Sequence, residues 1–328
     1  MRIAVLGAGA WGCALGCLLI ETGHDVALWE FDATAAARLG ARRWHDYLGV
    51  RLPDALVLTA DLAAALHERE LVIITTPSEF LRPTLRSAAP LLPGAAPLVC
   101  ATKGLEAESQ MTTDRVIADV LPGRPFALLS GPTFAKEIAS GLPAAVVAAS
   151  ADAFVARLVQ KGLGSQRLRV YTSDDVVGVA LAGALKNVVA LAVGVSDGLG
   201  MGGNARAAMI TRGLSEMGRL ASRVGAHPLT MAGLAGLGDL VLTCTGDLSR
   251  NRQVGLALGR GENLQDVLAR LGQVAEGVAT AGIAAALSAK LSVPMPITTN
   301  VAAVLFANKS PREAMTEILA RDARAERD

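Results

Sequence analysis

The order of apolar and polar positions divides the chain into two halves of different character. Up to about residue 173, short apolar runs alternate with longer stretches of helical period. This pattern predicts a doubly wound α/β domain with a mostly parallel sheet, because parallel strands are covered by helices on both faces. Strands are predicted at Ile3–Leu6, Asp25–Trp29, Ala55–Leu58, Leu71–Thr75, Leu98–Ala101, Phe126–Leu129, Ala144–Ala149 and Leu168–Tyr171, and helices between them include Asp61–Glu68 and Met111–Leu121.

After Ser173 the strand signals vanish and helical periods continue, so we predict domains over 1–173 and 174–328, the second all-α. Its most apolar stretch, Val176–Ser196, contains one charged side chain, Lys186. A membrane span would fit the length, but a central Lys-Asn pair is costly in lipid, so we predict a buried helix. Two glycine-rich polar interruptions, 197–204 and 236–252, are expected to be loops that contain a site and its mobile lid.

A glycine motif lies between the first strand and the first helix. The strand Ile3–Leu6 leads into Gly7-x-Gly9-x-x-Gly12, and an apolar helix follows to about Thr22. In this context Gly7 allows a tight turn, Gly9 lets the backbone approach a pyrophosphate, and Gly12 lets helix and strand pack closely. We therefore predict a Rossmann-type dinucleotide-binding domain.

The end of the second strand bears on the choice of cofactor. Glu30, with Asp32 as second choice, is expected to accept hydrogen bonds from the ribose hydroxyls and to repel a 2′-phosphate. Phe31 either covers the adenine face or packs into the core. These residues favour NAD over NADP, and NADP stays open because three arginines follow nearby: Arg38, Arg42 and Arg43.

Lys186 is the candidate acid–base group. Apolar surroundings disfavour an ammonium ion, so burial is expected to lower the pKa of this lysine and to let it exchange protons near neutral pH. The alternative is a lysine at a domain boundary whose ammonium group reaches water. Asp239, between Gly238 and an apolar run, is a candidate partner for Lys186.

Three further segments are candidates for binding anions or substrate oxygens. Lys103 follows a strand C-terminus, the edge where such sheets bind ligands, although a solvated lysine would look the same. Ser130–Thr133 precedes a helix, and its N–H groups either hold a ligand oxygen or form only a turn and cap. Ser249–Arg252 opens a predicted helix, Gln253–Leu258, and suits a phosphate dianion; an ordinary N-cap serine and solvated arginines are the alternatives.

Composition excludes several classes of protein. A net charge of +1 over 328 residues, without a dense basic run, argues against nucleic acid as a partner. Four cysteines without a C-x-x-C motif and four scattered histidines predict core thiols and no metal site. The N-terminus lacks a signal-peptide layout, so we expect a cytoplasmic protein.

Taken together, these motifs resemble those of the NAD(P)-dependent glycerol-3-phosphate dehydrogenases, over nearly the whole chain. The resemblance implies reversible reduction of dihydroxyacetone phosphate to sn-glycerol 3-phosphate by hydride transfer from NAD(P)H, which supplies the glycerol phosphate of phospholipids. It also suggests a homodimer, although a monomer would read the same way. The matching stretches are GAGAWG (7–12), TKG (102–104), GPTFAKE (131–137), GALKNVVA (183–190), DGLGMGGNARAA (197–208), GLGDL (236–240), SRNR (249–252) and VAEG (274–277).

The resemblance also implies roles for single residues. Lys186 matches the proton donor and acceptor, while Lys103 and Asp239 match substrate and catalytic-site residues. Phe31 stands where bacterial-type members commonly carry a basic residue, which supports NAD. The other implied substrate contacts are Gly131, Thr133, Asn187 and, at the phosphate, Ser249, Arg250 and Asn251; the implied cofactor contacts are Ala10, Trp11, Lys103, Ala135, Arg250, Val274 and Glu276.

Two other functions fit parts of the sequence. Dehydrogenases of 3-hydroxy acids share the two-domain plan and a mid-chain lysine, but they need a carboxylate site and no phosphate clamp, so the SRNR segment argues against them. A non-catalytic NAD sensor would need no lysine buried beside the nicotinamide, so Lys186 argues against that class.

Overall fold

The computed structural model describes residues 1–94, 96–271 and 275–320. These residues divide into two compact units. The first contains Met1–Gly183 and Gly225–Asp239, and the second contains Ala184–Val224 and the described residues from Leu240 onward. This division differs from the predicted boundary at 173, which stays a prediction. It falls inside one helix, between Gly183 and Ala184, and it assigns the later segment Gly225–Asp239 to the first unit.

The first unit is built on an eight-stranded sheet accompanied by a two-stranded hairpin. The strands are β1 (Arg2–Leu6), β2 (Asp25–Trp29), β3 (Trp44–His45), β4 (Val50–Arg51), β5 (Val57–Thr59), β6 (Leu71–Ile74), β7 (Leu98–Cys100), β8 (Phe126–Ser130), β9 (Ala144–Ala149) and β10 (Leu168–Ser173). The order in the large sheet is β10-β9-β8-β7-β6-β1-β2-β5. All neighbours are parallel except β8 and β9, which confirms the doubly wound, mostly parallel sheet.

Helices connect the strands of this unit. They are α1 (Ala10–Glu21), α2 (Ala33–Arg42), α3 (Leu62–Leu66), α4 (Ser78–Ala88), α5 (Thr113–Val120), α6 (Ala135–Ala139), α7 (Ala153–Leu163) and, in the returning segment, α10 (Pro228–Ala232). The order of the sheet reverses at β1, since the chain moves outward through β2 and β5 and then crosses to β6 on the other side. A doubly wound sheet binds its ligand at such a switch point, beyond the carboxyl ends of the strands.

The edge strand β5 begins two residues later than predicted. We expected it at 55–58, and it spans Val57–Thr59. The cause is a turn after Pro53, in which the Leu56 N–H donates to the Pro53 carbonyl at 3.0 Å, so the chain becomes extended only beyond Leu56. The hairpin of β3 and β4 was not predicted, because two-residue strands give no periodicity to detect.

In the part of the second half that the structure describes, every regular element after Ser173 is helical, as predicted. The helix α8 (Val176–Gly198) runs through the division between the units. The others are α9 (Gly202–Arg223), α11 (Asp239–Thr245), α12 (Arg250–Gly259), α13 (Leu264–Leu271), α14 (Glu276–Lys290), α15 (Pro296–Phe306) and α16 (Pro311–Leu319), with a π-helical turn at Leu234–Gly238.

The two glycine-rich interruptions are mostly helical, so their prediction as loops was wrong. The first is shared between the end of α8 and the start of α9, and the second contains the π turn, α11 and the start of α12. Two of these glycines serve close packing. A Cβ atom on Gly198 would lie 2.3 Å from the Leu256 carbonyl oxygen, and one on Gly236 would lie 2.2 Å from that of Met231. Gly255, farther along α12, packs in the same way, since its Cβ atom would lie 2.1 Å from the Leu191 carbonyl oxygen.

The apolar helix α8 is buried as predicted. Two helical stretches, α8 and Pro228–Thr245, are long and apolar enough to cross a membrane by length and composition. In α8, 89% of the most apolar window is buried inside the protein, against 39% in the other stretch. Burial of this extent explains why α8 is apolar on every face, as in the core helix of a globular protein.

The four cysteines are buried thiols outside any disulfide, as expected of core thiols. Burial raises the pKa of Cys13 to about 12 and that of Cys17 to about 11, so both stay as unreactive thiols at pH 8. We expect Ellman's reagent at pH 8 to titrate none of the four thiols in the folded protein and all four after denaturation. Rapid reaction of the folded protein would contradict this burial.

Candidate active site

The glycine turn after β1 brings two segments of backbone into contact. Gly7 has a φ of +112°, a conformation that favours glycine, and its N–H donates to the Trp29 carbonyl at 2.9 Å. A Cβ atom on Gly12 would lie 1.9 Å from the Gly7 carbonyl oxygen. The Thr75 hydroxyl, at the end of β6, donates to the same oxygen at 2.9 Å. The turn therefore requires glycine at 7 and 12.

The N-terminus of α1 is suited to an anion. Gly9 occupies the N-cap position and provides no side-chain cap for the N–H groups of the first turn. A Cβ atom on Gly9 would have nothing within 4 Å, so space for a pyrophosphate lies there. Ala10, Trp11 and Ala135, which were predicted as cofactor contacts, all pack partly buried against the core cluster of this unit.

The residues after β2 are only partly as predicted. Phe31 is 84% exposed and touches Trp29 edge-on, with ring centroids 6.2 Å apart, so it does not pack into the core. Asp32 caps α2, because its carboxylate accepts from the N–H groups of Thr34 and Ala35. Glu30 accepts a weaker bond from the Asp32 N–H at 3.2 Å. Glu30 is thus the freer of the two carboxylates proposed for the ribose.

Two of the three nearby arginines have partners of their own. Arg42 pairs with Asp46 at 3.1 Å. Arg43 donates to the Leu56 carbonyl at 2.6 Å. Arg38 is exposed on α2. Of the three, Arg38 is the candidate for a 2′-phosphate.

Lys103 lies in a polar cluster of the first unit. Its ammonium group is 2.6 Å from an Asp239 carboxylate oxygen and 3.1 Å from the Gly131 carbonyl. The Thr133 hydroxyl donates to the same carbonyl at 3.1 Å. The Lys103 side chain is 18% exposed and that of Asp239 is 2% exposed, so a solvated surface lysine is the wrong interpretation. Four predicted site residues, from three separate segments, therefore meet in one cluster.

The backbone around this cluster is tightly packed. Gly131 has a φ of +143°, and a Cβ atom on it would lie 2.9 Å from the Ala145 carbonyl oxygen. Asp239 follows the π turn, and π-helical segments are frequent at functional sites. The segment before it is tied down by Asp175, which accepts from the His227 N–H at 2.9 Å and from the Thr230 hydroxyl at 2.6 Å. Sequence reasoning did not find Asp175.

Lys186 is 7% exposed on α8, and it donates to the Thr243 hydroxyl at 3.0 Å. This burial disfavours the alternative in which its ammonium group reaches water. Thr243 is itself 4% exposed, and it lies four residues after Asp239, one turn along α11. In the sequence, only this four-residue spacing from Asp239 could have indicated that Thr243 belongs to the site. A partnership of Asp239 with Lys186 stays a prediction, beside the Lys103–Asp239 ion pair described above.

A chain of amide groups joins three helices of the second unit. The Asn251 side chain donates to the Asn187 side-chain oxygen at 2.9 Å, and its own oxygen accepts from the Gly277 N–H at 3.0 Å. Asn187 and Asn251 are buried. Glu276 begins α14 next to Gly277, and Val274 lies outside the described residues.

The SRNR segment forms the first turn of α12. Ser249 is the N-cap, and its hydroxyl accepts from the Arg252 N–H at 3.2 Å, so the N-cap interpretation is confirmed. Arg250 is exposed at the first position of the helix. An N-terminal turn with an exposed guanidinium remains suited to a phosphate.

Comparison with known families and structures agrees with this chemistry. The family model for the N-terminus of NAD-dependent glycerol-3-phosphate dehydrogenase matches residues 2–156, and the model for its C-terminus matches residues 175–316. The glycerol-3-phosphate dehydrogenase [NAD(P)+] of Geobacter sulfurreducens is 50% identical over 99% of both chains. That of Xanthomonas euvesicatoria is 47% identical, over 99% of this chain and 96% of its own.

A solved structure shows the same fold. The crystal structure of glycerol-3-phosphate dehydrogenase from Coxiella burnetii superposes with a TM-score of 0.95 at 40% sequence identity. The match covers 98% of this chain and 99% of that one. The similarity therefore extends over both halves of the molecule.

Proposed function

The chain belongs to the NAD-dependent glycerol-3-phosphate dehydrogenase family, and we propose that it catalyses the reversible reduction of dihydroxyacetone phosphate to sn-glycerol 3-phosphate with NAD(P)H. The product is the glycerol phosphate unit of phospholipids. One observation carries this proposal at the level of residues. The Asn187–Asn251 hydrogen bond connects the residue next to the buried Lys186 with the SRNR turn, so an acid–base lysine and a phosphate-binding turn share one unit.

We propose that the dinucleotide binds to the first unit, in line with the dinucleotide-binding domain predicted for 1–173. Gly7, Gly9 and Gly12 leave the uncapped N-terminus of α1 open to a pyrophosphate. Glu30 is placed at the carboxyl end of β2, where it would hold the ribose hydroxyls. When bound, the nicotinamide supplies the hydride chemistry.

Lys186 holds and moves the proton. In the reducing direction, we propose that its ammonium group polarises the C2 carbonyl and gives one proton to the C2 oxygen as that carbon gains the hydride. In the reverse direction, the neutral amine takes the proton from the C2 hydroxyl. Thr243 orients the amine through the 3.0 Å hydrogen bond. Lys186 and Thr243 both lie in the helical part of the chain, which we predicted as the substrate and catalytic domain over 174–328.

Binding and orientation of the substrate fall to the other polar residues. We propose that Ser249, Arg250 and Asn251 bind its phosphate, using the N-terminal turn of α12 and the Arg250 guanidinium. Lys103 is proposed to contact substrate oxygens, and the 2.6 Å ion pair with Asp239 fixes its ammonium group. Phosphate binding supplies energy remote from C2, which orients that carbon for reaction.

We further propose NAD as the preferred cofactor, with NADP as the alternative. The Glu30 carboxylate would repel a 2′-phosphate, and Phe31 brings no positive charge to this edge. Arg42 and Arg43 already bind Asp46 and a backbone carbonyl.

The initial rate of dihydroxyacetone phosphate reduction, with NADH and NADPH at matched concentrations, tests this function. We expect a clear rate that is higher with NADH, because Glu30 opposes the extra phosphate of NADPH. A higher rate with NADPH would contradict the cofactor preference and point to Arg38, which Arg38→Ala would then check. The absence of a rate with either cofactor, together with a rate on a 3-hydroxy acid, would overturn the substrate.

The setting of the enzyme is also a proposal. We propose a cytoplasmic protein that does not insert into a membrane, and the burial of α8 inside the protein supports this. We propose a homodimer, because apolar side chains stay exposed on the helical unit, among them Phe306 at 57% and Leu319 at 60%.

A further inference from the structure

Near the end of α8, one carboxylate binds two arginines. The Asp197 Oδ2 atom accepts from Nη2 and Nε of Arg252 at 2.9 and 3.1 Å, and Oδ1 accepts from Nε of Arg206 at 2.9 Å. The Asp197 side chain is 4% exposed. A carboxylate buried to this degree is stable only when it is paired, and here both oxygens are used.

The three residues belong to three helices of the second unit. Asp197 lies in the last turn of α8, Arg206 near the start of α9, and Arg252 in the first turn of α12. The Arg252 side chain is 13% exposed and also binds the carboxylate of Asp247, just before α12, at 3.0 Å. Two hydrogen bonds from one guanidinium to one carboxylate hold both groups in a defined orientation. Asp197 therefore fixes the first turn of α12 against α8.

The arginines of this region differ in their partners. Arg206 and Arg252 are both bound to Asp197. Arg250, between the N-cap Ser249 and Asn251, has no carboxylate within 4.0 Å among the residues that the structure describes. Its guanidinium is exposed. Among the described residues, Arg250 is therefore the arginine of this helix N-terminus whose charge has no carboxylate partner.

We propose that Asp197 is a positioning residue for the phosphate of the substrate. Its carboxylate binds Arg206 and Arg252, so their guanidinium groups are not available to the phosphate, and it holds the turn 249–251 in place. Arg250 is then the guanidinium that contacts the phosphate dianion. The inference rests on the proposed function, in which this turn binds phosphate. It adds the role of an acidic residue that does not itself touch the substrate.

The direction in which phosphate affinity changes when Asp197 is replaced distinguishes a positioning role from a simple effect of its charge. Removing a negative charge near a phosphate site should strengthen binding of an anion if long-range attraction decides the outcome. If Asp197 acts by position, its removal weakens binding, because the turn and Arg250 lose their fixed orientation. The two accounts predict opposite changes in the same measurement.

Asp197→Asn is the principal variant, measured with both dihydroxyacetone phosphate and unphosphorylated dihydroxyacetone. We expect the KM for dihydroxyacetone phosphate and the inhibition constant of inorganic phosphate to rise by about tenfold or more, the effect of losing one well-oriented charged hydrogen bond. We expect kcat/KM for dihydroxyacetone to stay within about twofold, since that substrate carries no phosphate for the turn to bind. Arg252→Lys keeps the charge but loses the two-point contact, so it should show the same pattern more weakly and serves if Asp197→Asn does not fold.

Two arginine variants complete the test. Arg250→Gln should raise the KM for dihydroxyacetone phosphate at least as much as Asp197→Asn, and Arg206→Gln should leave it within about twofold. An unchanged KM in Arg250→Gln would overturn the phosphate site of the proposed function itself. If Arg250→Gln raises the KM as expected, three other results would overturn the role of Asp197 alone. They are tighter phosphate binding in Asp197→Asn, equal losses of Asp197→Asn on both substrates, and a large rise of the KM in Arg206→Gln.

Discussion

Replacing Lys186 with methionine is expected to lower the turnover of dihydroxyacetone phosphate by at least about 10²-fold, the usual contribution of a positioned acid–base group. Methionine matches the lysine side chain without its amine and suits the apolar surroundings of α8, where Lys186 is 7% exposed. The folded structure and the affinity for NADH should therefore persist. Turnover under saturating substrate and NADH, with a fluorescence titration of NADH, measures both.

A matched control is Lys290→Met, which changes an exposed lysine at the end of α14 and should leave turnover unchanged. Thr243→Val should give an intermediate loss, because it removes the 3.0 Å hydrogen bond that orients the amine but leaves the amine in place. Near-normal turnover of Lys186→Met would remove this lysine from the mechanism.

Alanine at either of two glycines in the turn after β1 is expected to weaken NADH binding by about tenfold or more, by different routes. At Gly12 the new Cβ would lie 1.9 Å from the Gly7 carbonyl oxygen, so the backbone must shift, at a cost of about 1–3 kcal/mol in folding free energy. At Gly9 the new Cβ meets nothing within 4 Å of protein and would obstruct only the pyrophosphate. Thermal unfolding and NADH titration of both variants separate the two effects.

We expect Gly12→Ala to lower the Tm and Gly9→Ala to leave it unchanged, because Gly9 has an ordinary φ of −67° that alanine adopts readily. Gly9→Ala thus tests obstruction of the pyrophosphate with the fold intact, and Gly12→Ala shows how much NADH affinity is lost when the backbone of the turn shifts. Normal NADH affinity in Gly9→Ala would show that the pyrophosphate does not approach this position.

The fold was predictable where local sequence decides structure. Strands such as β1 and β6 are continuous apolar runs because both of their faces are covered, and this pattern is visible in the sequence alone. The start of β5 was misplaced because a turn after Pro53 delays the extended chain. The glycine-rich segments were misread because glycine signals both a flexible turn and close contact between helices. Only the neighbouring helix distinguishes these two roles, as Gly198 against Leu256 shows.

The candidate site was predictable in its members but not in its pairings. Lys186 and Lys103 drew attention because each is a charged residue in an informative context, a buried helix and the end of a strand. Their partners lie far along the chain: Thr243 is 57 residues from Lys186, and Asp239 is 136 residues from Lys103. Asp197 was missed for the same reason, since its bond to Arg252 spans 55 residues and no local pattern indicates it.

The close crossing of α8 and α12 bears on which substrate lengths the enzyme accepts. Leu191 and Gly255 meet there with no room for a Cβ atom, and the same is true of Gly198 opposite Leu256. Flexible side chains do not separate the two helices at these points, so rotamer changes at the crossing cannot alter the backbone distance from residue 186 on one helix to the turn 249–251 on the other. In the proposed function, in which Lys186 acts at C2 and this turn binds the phosphate, the helix pair would fix the distance from the reacting carbon to the phosphorus. We would then expect a ketone phosphate with one carbon more between these groups to reach either the lysine or the phosphate turn, but not both at once.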